Sequence, residues 1–254
     1  MTPSLRVVKV GGRAQQDPAL PSLLAAAFHA APGSLCVVHG GGVEIDRLQR
    51  ALGRTPRFLE GRRVTDAEDV DTVRMALALA NRRLVAALGA SGVPAIGISG
   101  EDARVLEADL LDPALGRVGR PRRVNAAPLQ TLLGAGYLPV IAPLAAAIGD
   151  GEGLNVNGDD AAAAIAGALG AAELLYVSDV DGVRRQGLTV DSLDAEEAAA
   201  MIADGMAAGG MAVKLETAVA ALRAGTQRVR IGGVAAIADR SVGTTLTTHG
   251  GIAV

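Results

Sequence analysis

The stretch Arg6-Val7-Val8-Lys9-Val10-Gly11-Gly12 is a short β-branched run that stops at paired glycines. An apolar run of this length, bounded by turn residues, reads as a strand buried on both faces, as in a parallel sheet covered by helices. Working outward, comparable runs recur at Leu35–His39, Ala95–Ser99, Leu138–Ala142, Leu174–Ser178 and Arg228–Ile231. Ala/Leu-rich helical patterns fill the intervals: Pro18–Ala31, Val43–Leu52, Ala67–Gly89, Pro128–Gly134, Asp159–Gly170, Ala195–Ala203 and Met211–Ala224. The alternation predicts an α/β fold, a three-layer αβα sandwich around a mainly parallel open sheet. Ala103–Arg123, with two Gly-Arg pairs and few periodic apolar positions, reads as a loop or small hairpin over one edge. Gly149-Asp150-Gly151-Glu152-Gly153 has turn chemistry and marks a mild break. Without a linker or a fixed-period repeat, the expectation is one domain over residues 1–254 with two lobes, about 1–150 and 151–254.

Composition narrows the function. Half of the 254 residues are hydrophobic and 20% are charged, which excludes disorder. Two Tyr, two Phe and no Trp leave an aliphatic core and no aromatic platform for stacking nucleic-acid bases. A net charge of −3 gives no general attraction to nucleic acid, so an anionic substrate has to be held by local positive groups. The single cysteine, Cys36, excludes an internal disulfide and fits a reducing cytoplasm. No signal peptide and no run of about 18 uninterrupted apolar residues is present, so no membrane partner is expected.

Of the 24 basic residues only two are lysine, Lys9 and Lys214. Arginine serves wherever a diffuse charge or a long stem suffices; a lysine that survives such a bias points to a need for a compact point charge. Both lie beside paired glycines, in Val7-Val8-Lys9-Val10-Gly11-Gly12 and in Gly209-Gly210-Met211-Ala212-Val213-Lys214.

The glycines carry the next argument. In an open α/β sheet, ligands sit at the C-terminal strand ends, where loops and helix N-termini present free N–H groups. Gly11-Gly12 ends the first strand and Gly40-Gly41-Gly42 follows the second, so backbone donors can approach phosphate or carboxylate oxygens closely. Neither is a Walker loop or a dinucleotide fingerprint. Glu60-Gly61-Arg62-Arg63-Val64-Thr65-Asp66 is either a solvated cap or an arginine fork for a carboxylate. Asn155-Val156-Asn157-Gly158-Asp159-Asp160 precedes an alanine helix and holds more polar groups than capping requires; an Asp there can pin a lysine ammonium. Ser178-Asp179-Val180-Asp181-Gly182-Val183 is a plain turn or a nucleotide-contacting loop. His29 and His249 read as structural or exposed, and His39 as a loop-fixing residue rather than a base.

Taken together and in order, these blocks resemble the amino acid kinase family over nearly the whole chain, above all its members that act on N-acetyl-L-glutamate. Gly97-Ile98-Ser99-Gly100-Glu101-Asp102, Val124-Asn125 and Gly136-Tyr137-Leu138-Pro139-Val140-Ile141-Ala142-Pro143 add to the likeness. The resemblance implies ATP-dependent phosphorylation of the γ-carboxylate of N-acetyl-L-glutamate in arginine biosynthesis. It implies that Lys9 and Lys214 stabilise the transferring phosphoryl group, Asp159 holds the lysines, and Gly12 and Gly41 donate N–H groups. It assigns the amino-acid substrate to Gly41, Gly42, Arg63 and Asn155. ATP falls to Lys9, Gly11, Asp179, Val180, Asp181, Gly182, Val183, Arg184, Met206, Ala207, Ala208 and Lys214. Mg²⁺ would ride on the phosphates and water, with no protein metal cage. The chain departs from the family's pattern at Asp181, Gly158 and Ile231-Gly232-Gly233, on the nucleotide side and in the final strand. The rival within the family is a kinase of carrier-protein-linked aminoadipate in lysine biosynthesis; outside catalysis the rival is an idle nucleotide-binding sensor. The block at Gly61–Asp66 favours the free substrate. Arginine-inhibited relatives carry an N-terminal helix that builds hexamers, whereas about five residues precede the first strand here, so an arginine-insensitive homodimer is expected.

Overall fold

The computed structural model describes residues 4–248. Twelve strands occur as β1 (Arg6–Val10), β2 (Leu35–His39), β3 (Ala95–Ser99), β4 (Leu106–Leu110), β5 (Val118–Val124), β6 (Leu138–Ala142), β7 (Leu144–Ala147), β8 (Gly153–Val156), β9 (Glu173–Val177), β10 (Ser192–Asp194), β11 (Arg228–Gly232) and β12 (Thr244–Thr247). The helices are α1 (Leu20–Ala30), α2 (Gly42–Ala51), α3 (Asp69–Ala90), α4 (Ala127–Gly134), α5 (Gly158–Ala168), α6 (Ala195–Ala203) and α7 (Gly209–Arg223). Two short ribbons pair Phe58–Leu59 with Arg62–Arg63 and Arg184–Arg185 with Leu188–Thr189.

Strand alternation explains the layers. In β1, Val7 packs into one cluster with Cys36, Val38, Leu174, Tyr176, Val229 and Ile231, against α5 and α7. Val8 and Val10 turn to the opposite face with Val37, Val140, Leu175 and Val177, under Leu20, Leu24 and Phe28 of α1. Successive side chains of a strand point to opposite faces, so an unbroken apolar run buries two layers at once. The sheet order is β10-β12-β11-β9-β1-β2-β6-β3. The six strands from β11 to β3 are parallel, and β12 runs antiparallel beside β11. The αβα sandwich with a mainly parallel sheet is thus the observed fold.

Glu173, Arg6 and Arg230 lie buried on the α1 face of β9, β1 and β11, near the strands' N-terminal ends. Arg6 Nε sits 2.6 Å and Arg230 Nη1 3.6 Å from Glu173 Oε1. The terminal nitrogens of both guanidinium groups donate to the carbonyls of Ala236, Ile237, Asp239 and Val242, while Arg230 Nε is buried without a hydrogen-bond partner among the described residues.

Ala103–Arg123 forms more than an edge loop. It supplies β4 and β5, which pair with β7 and β8 into a closed four-stranded ring. The ring closes tightly because Gly119 has no side chain: a Cβ there would stand 2.9 Å from Ala108 Cβ and 3.0 Å from Leu154 Cβ. The Gly149-to-Gly153 segment turns between β7 and β8, with Gly149 and Gly151 at φ of 111° and 75°. His249 lies outside the described residues. Among the described residues no helix is long and apolar enough to cross a membrane.

Candidate active site

Lys9 shares the parity of Val7, so its side chain leaves β1 on the face covered by α5. There it meets Asp159, in the first turn of α5, which Asn157 caps by accepting the Asp159 N–H at 2.8 Å. Lys9 Nζ is 2.7 Å from Asp159 Oδ1, and Lys214 Nζ, from α7, is 3.0 Å from Oδ2. One carboxylate therefore draws together two ammonium groups 205 positions apart in the chain (214 − 9). Asp159 is 4% exposed. Burial alone pushes its carboxyl upward, but the charges of Lys9 and Lys214 and their hydrogen bonds outweigh this and hold it below the usual value. The Tyr176 hydroxyl donates to the Asp159 main-chain carbonyl at 3.3 Å; burial, and then the Asp159 charge, push its pKa far up, so it stays protonated.

Two glycines leave the channel that Lys9 occupies. A Cβ at Gly11 would stand 2.1 Å from Lys9 Nζ, and one at Gly158 3.1 Å from Lys9 Cε. An alanine at Gly158 would press on the lysine stem. Gly12 sits at φ 55°, a left-handed conformation that favours glycine.

The β1 and β2 glycine loops are neighbours because their strands pair in register, and Gly40 N donates to Val10 O at 2.8 Å. His39 fixes the second loop. Its Nδ1–H donates to Gly40 O at 2.6 Å, and its Nε2 accepts from Asn81 Nδ2, which also donates to Val140 O. Burial, aided by Lys9 and opposed by the Gly40 contact, pushes its pKa down to about 4. His39 is neutral and internally bonded on both nitrogens, as a loop-fixing residue should be.

Lys9, Asp159, Lys214, Gly11, Gly12, Gly41, Gly42, Arg63 and Asn155 all line one cavity of about 440 Å³. Arg63 is not free within it. Its guanidinium donates to Asp46 Oδ1 at 2.5 Å, Gln49 Oε1 at 2.7 Å and Gly42 O, and lies 4.7 Å over the Phe58 ring. Asn155 donates to Thr65 Oγ1 at 3.0 Å, joining the ring to the start of the Thr-Asp turn.

The other nine residues expected at ATP, Asp179 to Arg184 and Met206 to Ala208, line a second cavity of about 520 Å³ together with Met201 and Met211. The two cavities meet across the N-terminus of α7: Ala208, its N-cap, and Met211 face the second, while Gly209, Gly210 and Lys214 face the first. Unpaired N–H groups of that helix end are therefore available to an anion spanning both. Gly182, at φ 148°, closes the loop against Thr244, whose Oγ1 accepts from Val183 N at 2.8 Å.

The sequence profile of the amino acid kinase family matches residues 4–233. The chain belongs to the amino acid kinase family. Within it, the chain is 41% identical over 251 residues to the acetylglutamate kinase of Chloroflexus aurantiacus, covering 97% of this chain and 98% of that one. To the acetylglutamate kinase of Rubrobacter xylanophilus it is 42% identical over 254 residues, again with 97% and 98% coverage. Among solved structures, a Streptococcus mutans protein superposes with a TM-score of 0.86 at 29% identity, over 96% of this chain and 99% of that one.

Several members of this amino acid kinase site escaped sequence reasoning. Asp46 and Gln49 tie down Arg63, Asn81 orients His39, and Arg62 pairs with Asp160. Asp46 and Gln49 sit three residues apart on α2, a spacing that puts both on one helix face, and that is the one signal that could have exposed them.

Proposed function

We propose that this chain transfers the γ-phosphoryl group of ATP to the γ-carboxylate of N-acetyl-L-glutamate, the acetylglutamate kinase reaction of arginine biosynthesis. The observation that carries the reading is the pair of lysine ammonium groups held on Asp159 where the two cavities meet. The amino acid occupies the first cavity, with Arg63 and Asn155 toward its carboxylate and acyl groups and the Gly41-Gly42 amides beneath. The nucleotide occupies the second, its phosphates running over the N-terminus of α7 toward Lys214.

The chemistry needs little proton transfer. A glutamate side chain, with an ordinary pKa of about 4.3, is ionised at neutral pH and attacks phosphorus directly; the new O–P bond makes the acyl phosphate as the bond to ADP breaks. Neutral His39 is consistent with a reaction that asks for no base. The obstacle is charge: two unit negative charges about 4 Å apart repel by roughly 4 kcal/mol at an effective dielectric near 20. Lys9 from one side, Lys214 from the other and the Gly12 and Gly41 amides offset that repulsion and hold the reactants in line. Asp159 holds both ammonium groups in place. Its two oxygens are committed to the lysines. Mg²⁺ would ride on the phosphates and water, where it would add charge neutralisation. A cytoplasmic homodimer completes the reading, in keeping with the exposed Met75 and Leu79 on α3 beside the edge strand β3.

The test is ATP consumption with hydroxylamine trapping of the acyl phosphate. N-acetyl-L-glutamate should give hydroxamate stoichiometric with ADP, while glutamate and carrier-linked aminoadipate should give little. Turnover of aminoadipate alone would assign the chain to the sister reaction, and no turnover with any acid would make it a nucleotide sensor.

A further inference from the structure

The ribbon Phe58–Leu59/Arg62–Arg63 roofs the first cavity, to which it contributes Phe58, Gly61, Arg62 and Arg63. It has little apolar anchorage of its own: Phe58 and Leu59 are both exposed, and an isolated two-stranded ribbon is marginal in water. Polar tethers hold it, and its two arginines pull in different directions. Arg63 reaches α2 through Asp46 and Gln49. Arg62 reaches α5 instead, its Nη1 2.8 Å from Asp160 Oδ2, with both side chains about one-fifth exposed. Asp160 directly follows the carboxylate that organises the two lysines, so the Arg62 tether fastens the roof to the element that carries the reacting end of the site. Arg62 also lines a cavity of about 460 Å³ on its far side, with Asp160, Arg120 and Glu216. The ion pair is thus the partition between that space and the substrate cavity.

We infer that Arg62 and Asp160 are positioning residues whose ion pair sets the roof of the amino-acid cavity against α5 and so tunes affinity for the acid. This rests on the acetylglutamate kinase reading. Neither side chain needs to touch the reacting atoms; each acts through the ribbon, and the effect falls on substrate retention rather than on the chemical step.

The test uses the full-length protein with Arg62→Asp, Asp160→Arg, Asp160→Asn and the double exchange of Arg62→Asp with Asp160→Arg. The expected result is a rise of about threefold to fivefold in KM for N-acetyl-L-glutamate in each single variant, the range open to a part-exposed pair. The KM for ATP should stay within twofold, and the double exchange should recover most of the loss. Added NaCl should raise the wild-type KM more steeply than that of Asp160→Asn, because the variant keeps only the screening of the substrate's own contacts. A readout independent of catalysis is limited trypsin cleavage after Arg57, Arg62 and Arg63, which should be faster in ligand-free Asp160→Asn than in wild type. Unchanged KM and unchanged cleavage in an active enzyme would overturn the inference. Faster cleavage in a protein without kinase activity would uphold the tether and overturn the assigned reaction instead.

Discussion

The two ends of the central sheet hold charge clusters of similar make and opposite use. At one end Arg6 and Arg230 share Glu173; at the other Lys9 and Lys214 share Asp159. Each sets two cations on one buried carboxylate, and at the arginine end the more exposed Arg228 is a third, its Nε 3.4 Å from Glu173 Oε2. At the arginine end carbonyls of residues 236 to 242 accept from the Nη groups of Arg6 and Arg230 and bind the segment after β11 to the sheet. At the lysine end no carbonyl does this, and the surplus charge faces a cavity bordered by glycine amides. A planar fork with five donors suits satisfying fixed acceptors, and a compact ammonium suits meeting an anion that arrives and leaves. That difference accounts for a chain with 22 arginines that keeps lysine at two positions only.

The sharpest way to break the comparison is Lys9→Arg or Lys214→Arg. Charge is retained, but a planar guanidinium cannot reproduce a compact ammonium on Asp159, and for Lys9 the channel bounded by Gly11 and Gly158 is tight as well; kcat should fall by about 10²–10³-fold, with thermal midpoints nearly unchanged. At the opposite end, Glu173→Gln should leave kcat at 25 °C within twofold yet cost about 3 kcal/mol in urea unfolding, because two buried guanidinium groups lose their counter-charge. His39 supplies a pH test. A folded pKa near 4 against about 6.5 unfolded means stability is full above pH 6.5 and falls as pH drops toward 4, by about 3 kcal/mol, a slope that His39→Gln should abolish. The activity profile should show no inflection near pH 6.5. Smallest is Gly11→Ala: a methyl group 2.1 Å from the Lys9 nitrogen displaces the ammonium, and kcat should fall about tenfold while KM for either substrate moves little.

How much of this could be read beforehand follows from range. β1, β2, β3 and β6 are continuous apolar runs closed by glycine or proline, a local signal, and the sequence placed their ends correctly. The lysines stood out by rarity, and the carboxylate between them by its place after Asn157. The four-stranded ring did not stand out: Leu144-Ala145-Ala146-Ala147 has no β-branched residue, and β5 carries Pro121, which cannot donate to a ladder. Those strands exist because small side chains let a ring close, a condition set by partners far away in sequence. The same holds for side-chain pairs. Arg62 and Asp160 are 98 positions apart, and His39 and Asn81 are 42 apart. Arg62, Asp160 and His39 lie in motifs the sequence shows, but no local pattern marks which residue each one pairs with.

Cys36 lies in the middle of β2 with no exposure, and burial pushes its thiol up to about 12. A disulfide reagent added at neutral pH finds almost no thiolate to react with until β2 leaves the sheet. As the chain's sole sulfhydryl, it is a built-in clock: the rate at which colour develops with such a reagent counts openings of the sandwich's centre, with no label introduced.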